Sequence, residues 1–295
     1  MDNITHTLVG LAAGELLHRC LPDEPTESAR SSRRRLLLVA CAVASNFPDL
    51  DLVLSPLLPP PLGYLLHHRG HTHTILYCLP QAFVLIATLL MVWKSARELL
   101  RESVRARVGL SIATLSGFAL HLSMDYLNSY GVHPFHPIDS RWFYGDMIFI
   151  VEPFFWAACA APLVIMIESG KRRALATTLL IGAPAFFAYA GFLAWYSVLL
   201  LALTMVTLAI VESKYGPRRP TSLIAAFLAM VIFIAVQSFA SGLAKRALAS
   251  DLESDGDGYD LHDVAATPLP TNPFCWTFVS VESKASANAY RSRRG

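Results

Sequence analysis

A chain of 295 residues is long enough for two soluble domains, but 54% hydrophobic against 16% charged residues, with a mean hydropathy of +0.45, falls outside the soluble range. A net charge of +2 is too small to point to nucleic acid, and five scattered cysteines with no C-x-x-C pair exclude a disulfide framework or a thiolate metal site. What remains is a membrane protein whose first partner is the lipid bilayer.

The chain starts MDNITHTLVG, with an acid at position 2 and no basic stretch, so its first apolar segment is expected to stay as a helix and not to be cleaved as a signal peptide. A helix needs about 20 apolar residues to cross a bilayer. In chain order, segments near 4–20, 36–54, 74–93, 108–128, 148–168, 174–190, 192–212 and 221–240 have helical length. The expected fold is therefore all-α and polytopic, with about eight hydrophobic helices and a short polar C-terminal tail. Residues 1–160 hold the chemistry, 161–244 add further helices, and 245–295 form the tail. Sixteen of the 24 Lys and Arg residues fall in four alternate loops, led by Arg19 to Arg35 and Lys94 to Arg107. Basic loops stay in the cytoplasm, so a multi-pass protein with both termini outside is expected.

That orientation brings the ionisable residues of the first four segments to one outer boundary: His6, then Asp49 and Asp51, then the run HHRGHTHT before residue 75, then His121 and Asp125. In HLSMD, His121 and Asp125 are four apart and share one helix face, a ligand spacing suited to Zn²⁺ or, with more oxygens, Mn²⁺ or Fe²⁺. In SNFPDLDL, Pro48 ends a helix and sets Asp49 and Asp51 on an extended turn, where two carboxylates clamp a cation or divide ligand and base roles. Four histidines in seven residues, His67, His68, His71 and His73, sit before an apolar helix whose N-terminus favours neutral imidazole, the metal-binding form.

Downstream, YGVHPFHPIDSRWFYGDMIFIVEPFFW crosses an aromatic outer loop in which Asp146 and Glu152 bracket the start of the next segment. Trp142, Phe143, Tyr144, Phe154, Phe155 and Trp156 are expected to anchor at the membrane interface. In the tail, DLESDGDGYDLHD imitates half of a calcium loop but has His262 where a bidentate Glu is needed, so a solvated acidic turn is expected. Trp276, Phe278 and Val279 suggest a strand.

The stretches MDNITHTLVG, SNFPDLD, HHRGHTHT, HLSMDYLNSYGV and FIVEPFF resemble, in order and spacing, the YdjM-like family of bacterial membrane-bound metal-dependent hydrolases, also described as LexA-regulated inner-membrane hydrolases. The likeness is close over about residues 1–160. Beyond that it lies in hydropathy alone, apart from TPLPTNPFCWTFVSVES, which is similar to the extracytoplasmic tail of some members. The family pattern H-R-G-x-T-H-[ST] falls on His68, Arg69, Gly70, Thr72, His73 and Thr74, so the resemblance picks His68 and His73 over His67 and His71. His6, Asp49, Asp51, His121 and Asp125 match its other positions, whereas Glu152 stands where members read Asp before Pro. A more distant likeness to the zinc-dependent phospholipase C and zinc nuclease superfamily suggests phosphodiester chemistry by analogy.

The resemblance implies a hydrolase in the bacterial cytoplasmic (inner) membrane with its site facing outside, holding one to three divalent ions, zinc first. The expected metal set is His6, Asp49, Asp51, His68, His73, His121 and Asp125. Asp51 or Asp146 would take a proton, Arg69 would contact a phosphate or carboxylate oxygen, and Glu152 is a further candidate catalytic carboxylate. A lipid or other envelope phosphoester is the expected substrate. The competing readings are a metal or proton transporter and a regulatory membrane protein with a structural metal site.

Overall fold

The structure, a computed structural model, describes residues 1–60, 62, 68–254, 259–284 and 289–295. His67 lies outside the described residues. Helix α1 (Asn3–Cys20) starts at Asp2, whose carboxylate accepts the amides of Ile4 and Thr5. Helix α2 (Glu27–Ala44) is capped by the Thr26 hydroxyl on the Ala29 amide and, after a bend of 40°, is followed by a 3-10 helix, Phe47–Leu57. Among the described residues the further helices are α3 (Ile75–Val92), the short basic α4 (Lys94–Glu102), α5 (Val104–Tyr126), α6 (Pro153–Ile165), α7 (Gly170–Tyr189), α8 (Trp195–Tyr215) and α9 (Thr221–Ser254). Strands β1 (Asp260–Pro268), β2 (Trp276–Lys284) and β3 (Ala289–Arg294) form an antiparallel meander with Ala265 opposite Val279 and Val279 opposite Arg294.

The class is the expected one, a mostly helical membrane protein. Helices α3, α5, α8 and α9 are long and apolar enough to cross a membrane, and α2 with the 3-10 helix makes a fifth if the bent pair is one span. The segments near 4–20, 148–168 and 174–190 are helical but do not qualify. Helix α1 carries His6, Glu15 and Arg19, and α7 begins on Lys171, Arg172 and Arg173. Helix α6 has 13 residues, about 20 Å of rise against a hydrocarbon core of about 30 Å. From Pro153 to Pro162 its residues are buried, Trp156 excepted, so it is an internal helix of the bundle. Phe155 is fully buried and Phe154 stacks on Phe233 with ring centroids 4.3 Å apart, so these two belong to the core and not to an interfacial belt.

Two apolar cores flank the bundle, one between α1, α6, α8 and α9 (Val9, Phe155, Leu201, Leu223), the other between α2, α3 and α5 (Leu37, Leu85, Phe118). Leu79, Phe83, Leu203, Val231 and Phe239 stay exposed on α3, α8 and α9, as surfaces that face acyl chains do. Lipid removes the hydrophobic drive for helix association, so close backbone approach has to replace it. Helix α1 supplies this at Gly10 and Gly14, where an added Cβ would lie 2.8 Å from the Ala42 Cα and 2.7 Å from the Leu37 carbonyl. On α5, a Cβ at Gly117 would lie 2.5 Å from that of Ala44. Three helices thus meet backbone to backbone around the end of α2.

At the opposite end of α1, the Arg19 side chain is buried and bridges Glu15 and Glu212 at 3.0 Å, while Arg33 pairs with Glu24 at 3.1 Å. Two residues of the first basic loop therefore tie helices together. The tail is more ordered than expected: Asp251 and Glu253 lie in the last turn of α9, so the acidic run does not begin as a loop, and 255–258 are outside the described residues. The strand suggested by Trp276, Phe278 and Val279 is β2.

Candidate metal centre

Ser45 ends α2, and Pro48, which has no N–H to place, takes the first turn of the 3-10 helix. Asp49 and Asp51 therefore lie on a tight helix where an extended turn was expected. Both are buried while Leu50 between them is 57% exposed, so the two carboxylates turn inward together.

Helix α5 presents His121 and Asp125 one turn apart on the same inward face, both fully buried. The His121 Nδ1–H donates to the Ser45 carbonyl at 2.7 Å. A carbonyl can only accept, so the tautomer is fixed and Nε2 carries the lone pair. That Nε2 lies 3.7 Å from Asp49 Oδ1 and 3.6 Å from Asp125 Oδ2. His73 Nε2 lies 3.2 Å from Asp49 Oδ1 and 3.3 Å from Asp125 Oδ2. His6 brings Nε2 to 3.3 Å from Asp125 Oδ1 and stacks on the His121 ring at 4.2 Å.

The carboxylates make this pocket a place for positive charge. At His73, burial works against the imidazolium, but the acceptors Asp125, Asp49 and Asp51 outweigh it and lift the ring to about 10. Ligand atoms of Asp49, His73, His121 and Asp125 all lie within 4.8 Å of one another. A tetrahedral ion with bonds of about 2.0–2.2 Å sets its ligands roughly 3.3–3.6 Å apart, close to the separations observed. Although buried, the His121 Nε2 and Asp125 Oδ2 atoms have no hydrogen-bond partner among the described residues. Such orphaned atoms are costly unless something binds them, and the donor set of two imidazoles and two carboxylates fits a divalent ion.

Asp51, His68 and His73 form an adjoining group. Asp51 is the organiser of the histidine loop: Oδ1 is 3.0 Å from His68 Nδ1, and Oδ2 accepts the Arg69 amide at 3.1 Å and the Thr72 hydroxyl at 2.5 Å, with His73 Nδ1 at 3.4 Å. The two nitrogens of His73 thus look in opposite directions, Nε2 to the four-residue group and Nδ1 to Asp51. This is the carboxylate–histidine arrangement that fixes the ring of a metal ligand. Arg69 holds a left-handed backbone (φ 61°) and sends Nη2 to 3.1 Å from Asp125 Oδ1, while Nη1 donates to the Gly131 carbonyl at 2.9 Å.

Eight of the ten predicted side chains come together in this way. Asp146 and Glu152 lie outside both groups. Asp146 (φ 51°) receives the Lys245 ammonium at 2.5 Å on Oδ2, and its Oδ1 is buried without a partner among the described residues. Its segment hangs on the end of α5, with Gly145 N–H donating to Tyr126 O at 2.8 Å and Met147 N–H to Leu127 O at 3.0 Å. Three participants were missed by sequence reading: the Met1 α-ammonium, which donates to Asp125 Oδ1, the Ser45 carbonyl, a backbone atom with no sequence signature, and Asn128. The signal for Asn128 was its place in the stretch HLSMDYLNSYGV, just past the HLSMD motif.

Glu152 has a different task. Fully buried, it caps α6 through the Phe154 amide at 3.1 Å and accepts the Thr271 hydroxyl at 2.5 Å and the Thr271 amide at 3.2 Å. With Ser197 donating to the Thr271 carbonyl at 2.8 Å, it latches the β1–β2 turn onto the helices. Burial pushes its carboxyl up to about 7, against the hydrogen bonds that lower it. A raised folded pKa means that its contribution to stability is complete below the unfolded value near 4.5 and fades as pH climbs through about 7. Docking of the sheet should therefore weaken by up to about 3 kcal/mol between pH 4.5 and 8. Hydrogen exchange at the Thr271 amide reads this, and Glu152→Gln should flatten the pH dependence. A wild-type amide protected equally at both pH values would refute it.

A family model described as the YdjM inner membrane protein matches residues 1–195, a range that contains every residue of both groups. The chain is 26% identical over 171 residues to the Bacillus subtilis (strain 168) protein described as "Uncharacterized protein YfhP". That alignment takes in 58% of this chain and 48% of the relative, so the chain spans about half the length of the curated relative it matches. No solved structure matches.

Proposed function

Because the chain belongs to the YdjM inner membrane protein family, we propose that its buried Asp–His cluster serves a membrane-bound, metal-dependent hydrolase acting on a phosphoester or lipid-like substrate. The site works at the outer face of the cytoplasmic membrane, in a protein that crosses the bilayer several times. The observation that carries this reading is His121, whose Nδ1 is committed to the Ser45 carbonyl while its bare Nε2 faces Asp49, Asp125 and His73.

Zinc is the ion we assign, held by Asp49, His73, His121 and Asp125, with His6 beside Asp125. A divalent ion in such a set supplies a Lewis acid and a water of lowered pKa. The chain's own residues do the rest. Asp51, its oxygens already engaged by the histidine loop, orients His73. Arg69, buried and charged, faces the substrate's anionic group. Asp146, with one unpartnered oxygen at the end of the helix that carries Asp125, accepts the proton.

The test is hydrolysis of phosphomono- and phosphodiester lipids by detergent-purified protein. Turnover should be lost with chelator and restored by zinc. No hydrolysis of any phosphoester, together with metal-dependent or proton-dependent flux in proteoliposomes, would make the protein a transporter. Sidedness is tested by cysteine labelling at Ile138, 94% exposed in the 127–152 loop, and at Lys94, whose side chain is 83% exposed. An impermeant reagent should label Ile138→Cys in intact cells and Lys94→Cys only after lysis. The reverse pattern would put the site in the cytoplasm.

A further inference from the structure

Two residues past the end of α5, the Asn128 side chain is 1% exposed and its amide orientation is determined by its neighbours. Its Oδ1 accepts from Arg69 Nη1 at 3.3 Å and from the Tyr130 amide at 2.9 Å. Only the carbonyl oxygen of an amide can accept from two donors, so the NH2 group faces the other way. That Nδ2 is buried and has no partner among the described residues. The same holds for Nε of Arg69. Arg69 is 4% exposed, and both its terminal nitrogens are occupied, Nη1 by Asn128 Oδ1 and Gly131 O, Nη2 by Asp125 Oδ1.

Two interior donors are thus left unsatisfied on side chains that touch each other, and one of those side chains touches the candidate ligand Asp125. Buried donors are rarely left unpaired. The feature is pinned from several sides. Asp51 holds the left-handed Arg69 backbone through its amide, the Gly131 carbonyl and Asp125 hold the guanidinium, and the Tyr130 ring lies under it at 5.5 Å. Such backbone strain at a buried arginine is kept only where its surroundings enforce it. Two N–H donors, one of them cationic, suit an occupant that accepts from both and carries negative charge.

We propose that Asn128 Nδ2 and Arg69 Nε form an anion pocket beside the metal centre that receives a tetrahedral oxyanion, the phosphoryl group of the substrate. Asn128 is thereby a substrate-positioning residue. The proposal rests on the phosphoester reading above and names the side chains that recognise the group. A carboxylate would satisfy the same two donors, so inorganic phosphate is the probe that commits the pocket to its class.

The experiment titrates inorganic phosphate into detergent-purified, zinc-loaded full-length protein, with zinc content measured in the same samples. Asn128→Asp keeps an oxygen for Arg69 and Tyr130 but replaces the donor by an acceptor. Asn128→Ala removes the donor without adding charge. Both should retain zinc and lose phosphate affinity about tenfold or more. A role limited to holding Arg69 predicts that Asn128→Asp keeps its phosphate affinity. Simple charge repulsion predicts loss in Asn128→Asp alone. Wild-type affinity in Asn128→Ala overturns the proposal and leaves the phosphoester reading in place. Phosphate binding that depends on Asn128, in a protein that hydrolyses no phosphoester, leaves the pocket standing and removes the reading. If Asn128→Asp loses zinc, Asn128→Ala decides by the same titration.

Discussion

Purified His121→Ala and Asp125→Ala proteins are expected to remain membrane-inserted and to lose bound zinc, with affinity falling by more than the roughly 10–100-fold typical of an outer-sphere partner. The apolar surfaces of α3, α5, α8 and α9 are untouched by either change, so insertion should survive. The two side chains supply the orphaned buried atoms, His121 Nε2 and Asp125 Oδ2, and each also faces Asp49 or His73. Removing Asp125 also strips Arg69 Nη2 and His6 Nε2 of their acceptor, so Asp125→Ala should be the more damaging. Metal analysis after exhaustive dialysis checks this. Full zinc occupancy in both variants would remove the metal assignment.

The second large effect separates two aspartates that look alike in sequence. Asp146→Asn should lower the rate of lipid phosphoester hydrolysis by about 10²–10⁴, the usual cost of a lost general base, with zinc content unchanged and no rescue by added zinc. Asp51→Asn should behave differently. Its carboxylate accepts from Arg69 N–H and the Thr72 hydroxyl and faces both His68 and His73, so an amide there mis-sets the histidine loop. Zinc affinity should fall by about 10–100-fold, and excess zinc should restore most of the rate. If Asp51→Asn holds zinc normally while Asp146→Asn keeps its rate, proton transfer belongs to Asp51.

The candidate site was largely readable as a list of residues. An Asp or His near the end of an apolar segment is expensive in a membrane, and four segments each carried such residues. His121 and Asp125 needed only the helical repeat to be paired. The roles were less readable. Asp51 and Asp49 are two residues apart, and only the 3-10 helix shows that one faces the four-residue group and the other the histidine loop. Glu152 stands at a family position where members read Asp, but a strand turn more than one hundred residues later occupies it through Thr271.

By itself the sequence determined the helical membrane class, because hydropathy over about 20 residues acts locally along the chain. It also determined the pairing of His121 with Asp125 and the presence of the β2 strand, since both follow from short periodicities. Only the tertiary structure decided which apolar helices face lipid and which, like α6, lie inside, since burial depends on neighbours. It alone brought His6, Asp49, His73 and Asp125 around one point, through backbone contacts at Gly10, Gly14 and Gly117 that no periodicity records. It alone set the proton on His121, because the acceptor is the carbonyl of Ser45, 76 residues away in the chain and supplied by the backbone, whose position no side-chain pattern encodes.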